Sequence, residues 1–279
     1  MASTINASST GSGGLITTGD ASGVLQLQSN GTVALATSDG NIGIGGATPV
    51  TVGSLPRAIE FSYGAFTSYN STEINFSGNG YIDTNGWKYK ATGPATLYQQ
   101  SNGAHTWSSA TSGSAGGSLS WTNSMSINNN GQITRPLQPA FSAGGTGSGS
   151  KTPGTVFGFT TSGPTSNISI NVGGGWSNAN SRFTAPVAGV YAFFCSIYVQ
   201  NSNTNNSSIA PCINGVQLST GSDTFMGYQG TIVNSDNNVL FSFIMNLAAN
   251  DYVDLRVRTG SVTVSYYGGH SWFQGYLLG

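Results

Sequence analysis

Val187-Ala188-Gly189-Val190-Tyr191-Ala192-Phe193-Phe194-Cys195-Ser196-Ile197-Tyr198-Val199 is apolar at nearly every position, odd and even alike. Side chains alternate across a β-strand, so a run apolar in both registers is covered on both faces. Val239-Leu240-Phe241-Ser242-Phe243-Ile244-Met245-Asn246-Leu247 repeats the pattern. In an antiparallel sandwich one face of such a strand meets the opposite sheet. The other face must then be covered from outside the domain, which predicts oligomerisation through a sheet face.

The rest of the chain agrees with an all-β reading. No stretch of Ala, Leu, Glu and Lys carries apolar residues at i, i+3, i+4 and i+7, and Gly, Asn or Pro punctuates the sequence every eight to twelve residues or so. In residues 1–53, Ala2 to Gly14 reads as extended, and Val24 to Ala36 reads as one hairpin turning at Ser29-Asn30-Gly31. Such a piece buries too little to stand alone, so it must dock on something. Residues 54–134 are dense in aromatics but cut by Asn79-Gly80, Asn85-Gly86, Asn102-Gly103 and Asn130-Gly131. Each strand there carries few apolar side chains, which predicts a thin sheet needing a partner, most simply the same segment of sister subunits wound about a threefold axis. Arg135-Pro136-Leu137-Gln138-Pro139 reads as a linker over 135–139. Residues 140–279 hold the long apolar runs and form the C-terminal domain.

Composition narrows the function. Of 279 residues only 6% are charged, with 8 Lys+Arg, 9 Asp+Glu and a net charge of -1, while Gly, Ser, Thr and Asn make up half the chain. So few cations cannot line a nucleic-acid groove. No run is long enough to cross a membrane as a helix, and Met1 to Asn6 offers neither the basic nor the apolar part of an export signal. Aromatics at 11% supply surface to bury, so the chain should fold. A protein near zero net charge is prone to self-association and suits a fixed assembly.

Ser181-Arg182-Phe183-Thr184-Ala185-Pro186-Val187-Ala188-Gly189-Val190-Tyr191-Ala192-Phe193 resembles the signature of the complement one-q and tumour-necrosis-factor-like jelly roll. Asn250-Asp251-Tyr252-Val253-Asp254-Leu255 is similar to its penultimate strand, and Ser271-Trp272-Phe273-Gln274-Gly275-Tyr276-Leu277-Leu278 to its closing one. The resemblance implies a ten-stranded sandwich that assembles as a tight trimer, with Phe183, Pro186, Gly189, Tyr191, Phe193, Ile197, Gly275 and Tyr276 serving fold and trimer packing. Three other stretches resemble phrases of tailed-phage fibres. They are Asn41 to Pro49, Trp87-Lys88-Tyr89-Lys90 with Gly93 to Gly103, and Met125 to Gly131.

Signs of chemistry are few. Glycan cleavage needs two carboxylates flanking a cleft. Among the nine acids, Asp39, Asp236 and Asp251 read as turn residues, and Glu60, Glu73 and Asp83 lie in the thin sheet. His105 and His270 lie far apart and read as hydrogen-bonded histidines, with no metal-ligand spacing around them. Cys195 and Cys212 read as buried thiols, a bridge between adjacent strands remaining open. Some members of the jelly-roll family hold calcium near the trimer axis. Asp223 or Asp236 is the candidate for that here, but no loop spacing supports it, and no cofactor is expected. Tyr228, Tyr266 and Tyr267 are the candidate receptor contacts, since exposed aromatic faces stack on sugar rings.

The resulting expectation is a non-enzymatic virion protein, all-β and homotrimeric. Residues 1–50 would attach it to another virion protein, an intertwined shaft would follow, and the C-terminal head would meet a host-surface glycan or protein. A tail fibre is favoured; a capsid decoration or head fibre and a secreted lectin-like module are the alternatives.

Overall fold

The computed structural model describes residues 25–29, 32–38, 41–45, 47, 57–162, 169–200, 206–218, 228–231, 237–258 and 263–279. The extended segment expected at Ala2 to Gly14, the turn at Asn30-Gly31, and Asp39, Asp223 and Asp236 lie outside them. The chain divides between Pro136 and Leu137 into two compact units. Among the described residues there is no α-helix; a single 3-10 turn spans Gly268–His270.

The first unit holds β1 (Leu25–Ser29), β2 (Thr32–Ser38), β3 (Asn41–Ile44), β4 (Arg57–Phe61), β5 (Gly64–Asn70) and β6 (Glu73–Gly78). It continues with β7 (Gly80–Asp83), β8 (Gly86–Tyr89), β9 (Gly93–Ser101), β10 (Ala104–Gly113), β11 (Thr122–Ile127) and β12 (Ile133–Thr134). Ten of these make one sheet in the order β1-β2-β3-β4-β5-β6-β9-β10-β11-β12, while β7 and β8 form a separate hairpin. The N-terminal strands dock as expected of a piece without its own core: β3 pairs parallel with β4, and Asn41 Oδ1 accepts a hydrogen bond from the Ala58 amide at 2.9 Å.

One side of this sheet packs beneath the β7–β8 hairpin. Tyr89, Ala95, Ala110 and Leu119 are buried together there, with Trp87 and Trp121 edge-to-face at 5.3 Å. Asn79 holds the base of the hairpin. Its backbone sits at φ 56, its amide donates to Ala91 O and Pro94 O, and its carbonyl oxygen accepts from the Ala91 amide. Asparagine tolerates this left-handed conformation better than most residues because its short polar side chain bonds locally. At Asn102-Gly103 both residues have positive φ, the geometry of the tight hairpin turn between β9 and β10.

The second unit holds β13 (Ala140–Gly145), β14 (Ser148–Lys151), β15 (Phe159–Thr160), β16 (Ile170–Val172), β17 (Trp176–Ser177), β18 (Arg182–Thr184) and β19 (Gly189–Gln200). β20 (Asn206–Ile213), β21 (Val216–Gln217), β22 (Tyr228–Thr231), β23 (Asn237–Leu247), β24 (Tyr252–Val257), β25 (Val264–Tyr267) and β26 (Trp272–Leu277) complete it. They make an eight-stranded sheet around β23-β19-β26-β13 and a six-stranded sheet around β18-β24-β20. The strand number exceeds ten because pairings of only two residues, such as β15, β17 and β21, stand beside the long strands.

Between the two sheets lies the main core, an aromatic stack centred on Phe141, which meets Trp176 and Phe183 at 4.8 Å each and Phe273 at 5.0 Å. The two cysteines are free and buried. Cys195 belongs to the core, where burial holds its thiol well above the ordinary range. Cys212 sits on β20 opposite Asp254, and burial, aided by that carboxylate, pushes it up to about 11.

Candidate functional site

Along β19 the odd positions Tyr191, Phe193, Cys195, Ile197 and Val199 enter the core. The even positions face the other way. Val190 and Phe194 are there, with Leu240 and Ile244 beside them on β23 and Tyr276 on β26, all exposed. Leu240 and Ile244 are 64% and 59% exposed in the middle of an apolar strand. Phe194 stacks on Tyr276 at 6.0 Å, and Ile170, Ser142 and Gln274 complete an open depression of about 380 Å³ around them. Gln274 donates to Ser142 Oγ at 3.1 Å, and no acidic or basic side chain stands at the outward positions of β19, β23 or β26. This is the second apolar face that the sequence requires.

The signature residues divide between the two sides of the sheet. Phe183, Tyr191, Phe193 and Ile197 are fully enclosed in the core, while Tyr276 lies on the outward face at 44% exposure. Tyr191 Oη donates to Val187 O at 2.8 Å, pinning the turn that opens β19. Pro186 is exposed in that turn. Gly189 and Gly275 have no room for a side chain: a Cβ at Gly189 would come within 2.7 Å of Leu277 Cδ1, and one at Gly275 within 2.6 Å of Phe193 Cδ1.

The three candidate receptor tyrosines separate. Tyr266 cannot stack on a sugar, which corrects the sequence expectation: it pairs with Val199 on the core side, is 1% exposed and donates to Gly158 O at 2.8 Å. Its burial pushes the phenol up to about 12. Tyr267, its neighbour, points outward by strand alternation and is 37% exposed. Its ring lies 5.3 Å from His270 and 6.0 Å from Tyr198, and His270 and Tyr198 are 5.2 Å apart. The tyrosine-rich sequence therefore hides one ring and presents the next. It gave no sign of His270 and Tyr198 as partners, because the 3-10 turn that brings His270 back has no distinctive residue pattern. The side chain of Tyr228 lies outside the described residues.

The described acids are engaged in local structure. Glu60 pairs with Lys90 at 2.6 Å, and Asp254 takes Arg256 through both oxygens at 2.6 and 2.7 Å. Asp251 accepts from the Ala248 amide and Asn214, which hold its carboxyl below the usual range, in the turn where the sequence places it. Glu73 accepts from Asn75 and Gln99. His105 is hydrogen-bonded to Tyr98 Oη at 2.7 Å. Among the described residues no three His, Cys, Asp or Glu cluster in a way that would hold a metal ion.

Residues 140–278 match the C1q domain family. They form a C1q/TNF-like domain. Similar solved structures include the globular domain of zebrafish complement 1qA protein, at 16% identity over 51% of this chain and 98% of that one, with a TM-score of 0.38. The Eiger TNF of S. frugiperda has 16% identity over 52% of this chain and 94% of its own, TM-score 0.38, and murine APRIL has 10% over 50% and 99%, TM-score 0.36. No curated protein matches the chain significantly. The expected C1q/TNF-like jelly roll thus stands for residues 140–278.

Proposed function

We propose that this chain is a non-enzymatic, homotrimeric binding protein, assembled through the outward face of its C1q-like domain and serving as a short fibre on a tailed-phage particle. The observation that carries the trimer is the uncharged face of Val190, Phe194, Leu240, Ile244 and Tyr276, too apolar to be left to water. Trimers are typical of the C1q/TNF fold. Supporting the virion role are the fibre-like phrases of residues 41–49, 87–103 and 125–131 and the low charge suited to a fixed assembly. In this reading residues 1–50 attach to another virion protein, and the head meets a host-surface glycan or protein, Tyr267 with His270 and Tyr198 being the contact it offers. The trimer lives on the virion, and no nucleic acid, membrane or cofactor enters its work.

Light scattering of the purified chain tests the assembly, and a folded monomer at micromolar concentration would sink it. Immunolabelling of intact particles tests the location, with labelling at the tail expected; particles that lack the chain would overturn the virion role.

A further inference from the structure

The first unit buries an ion pair beside a carboxamide on the hairpin side of its sheet. Lys90, just past β8, reaches Glu60 on β4, its Nζ 2.6 Å from Oε2, and the two side chains are only 10% and 3% exposed. Such a pair is costly to bury, and apolar residues of similar size would usually serve stability as well. Asn41, at the start of β3, is also buried. β3 runs parallel to β4, with Ile42 beside Ile59 and Gly43 beside Glu60. Paired residues point to one side of a sheet and alternate residues share it, so the side chains of Asn41, Ala58 and Glu60 leave the sheet together. Gly43, beside Glu60, puts no side chain in the way. By that register the Cβ atoms of Asn41 and Glu60 stand roughly 8 Å apart, a gap that two such side chains close between them. The Asn41 carboxamide is held in place, its Oδ1 accepting from the Ala58 amide at 2.9 Å.

We propose that Lys90 and Asn41 join in an amide bond that the chain forms by itself, with Glu60 as the proton carrier. Each part that such a step requires is in place. A base must free the Lys90 amine, and Glu60 takes the ammonium proton along their 2.6 Å contact. The Nζ lone pair then attacks Asn41 Cγ. Negative charge develops on the carboxamide oxygen, where the Ala58 N–H already donates and stabilises it. Lys90 gives up two of its three protons in all. Glu60 passes both to Asn41 Nδ2, the Cγ–Nδ2 bond breaks, and ammonium departs, with nothing oxidised or reduced and no co-reactant consumed. Burial of all three groups keeps out water, the competing nucleophile, and their fixed places in the fold supply the proximity that an unreactive amide needs. The bond falls where the sheet is joined most sparingly. β1, β2 and β3 meet the rest of it through the short parallel pairing of β3 with β4, and a bond from Asn41 to Lys90 fastens that joint to the end of the β7–β8 hairpin.

The test is the mass of the full chain, measured by mass spectrometry under denaturing conditions against Lys90→Arg, which shares any processing of the ends. Wild type is expected to be lighter than its sequence by one ammonia. A trypsin digest should yield the peptide of residues 1–57 joined to the one that carries Lys90. Lys90→Arg and Glu60→Gln should each show the full sequence mass and no joined peptide. A folded wild-type chain at full mass would overturn the proposal. So would loss of ammonia with the two peptides separate, which marks closure of an asparagine on its own backbone. Loss of one water with Lys90 joined to Glu60 would give the bond to the wrong partner, and joining that persists in Glu60→Gln would remove Glu60 from the step. The wild-type digest decides the bond whether or not the variants fold. Should circular dichroism show Glu60→Gln misfolded, Glu60→Asp takes its place, expected to join more slowly because its carboxylate stands farther back.

Discussion

Gly275 shows how one missing side chain can organise a core. It lies on β26 between Phe193 and Phe141, and any Cβ there would overlap both rings, so the aromatic stack closes only over glycine. Gly275→Ala should therefore cost about 1–3 kcal/mol by overpacking, read as a lower denaturation midpoint with secondary structure retained. The two adjacent tyrosines give the opposite pair of outcomes. Tyr266→Ala empties a filled site and should lose about 3–5 kcal/mol, whereas Tyr267→Ala should leave monomer stability nearly unchanged and reduce adsorption to cells if Tyr267 touches the receptor. Asp251 adds a pH effect with a definite sign. Its folded-state carboxyl is held down by hydrogen bonds from Asn214 and the Ala248 amide, so it stabilises the fold above the pKa of the unfolded chain. That contribution is lost as pH falls through the lowered folded value. Asp251→Asn should flatten the acid limb of the stability curve measured by denaturant titration between pH 2 and about 5.

At the scale of elements, β19 and β23 show what a pattern of apolar residues can and cannot say. Their two-sided hydrophobicity was legible, and so was its meaning, a buried inner face and an outer face awaiting cover. Which residue lies on which side was not, since a strand apolar in both registers reads the same after a one-residue slip. Structure assigns Ile197 to the core and Leu240 and Ile244 to the outer face. Accordingly Ile197→Asp should unfold the domain, leaving an unpaired carboxylate in its interior. The double variant Leu240→Asp and Ile244→Asp should instead keep a native circular dichroism spectrum and shift the scattering mass from trimer to monomer. The turns at Asn102-Gly103 and Asn250-Asp251 were legible because they rest on local chemistry. The parallel pairing of β3 with β4 was not, because it depends on Asn41 reaching the Ala58 amide across a long connection. The triad of Tyr198, Tyr267 and His270 was hidden for the same reason, its members being brought together only by sheet register and a 3-10 turn.

In the proposed function an attachment segment, a sheet and a head follow one another along the chain, and the head keeps an apolar face for copies of itself. Deleting residues 1–50 should leave a soluble trimer that no longer appears on assembled particles, scored by immunoblot of purified virions; continued incorporation would place attachment elsewhere. The head is also hung in a particular way. Ala140 and Tyr276 face each other on neighbouring antiparallel strands, Leu277 N donates to Pro139 O, and Gln138 reaches Leu277 O. The first and last long strands of the domain thus lie side by side, so the domain is built as a plug with adjacent ends. Such a plug can be exchanged, inserted into another chain or circularly permuted by a short linker from Gly279 to Ala140, without rethreading any sheet. A chain built this way can change its C-terminal domain while keeping the unit that precedes it.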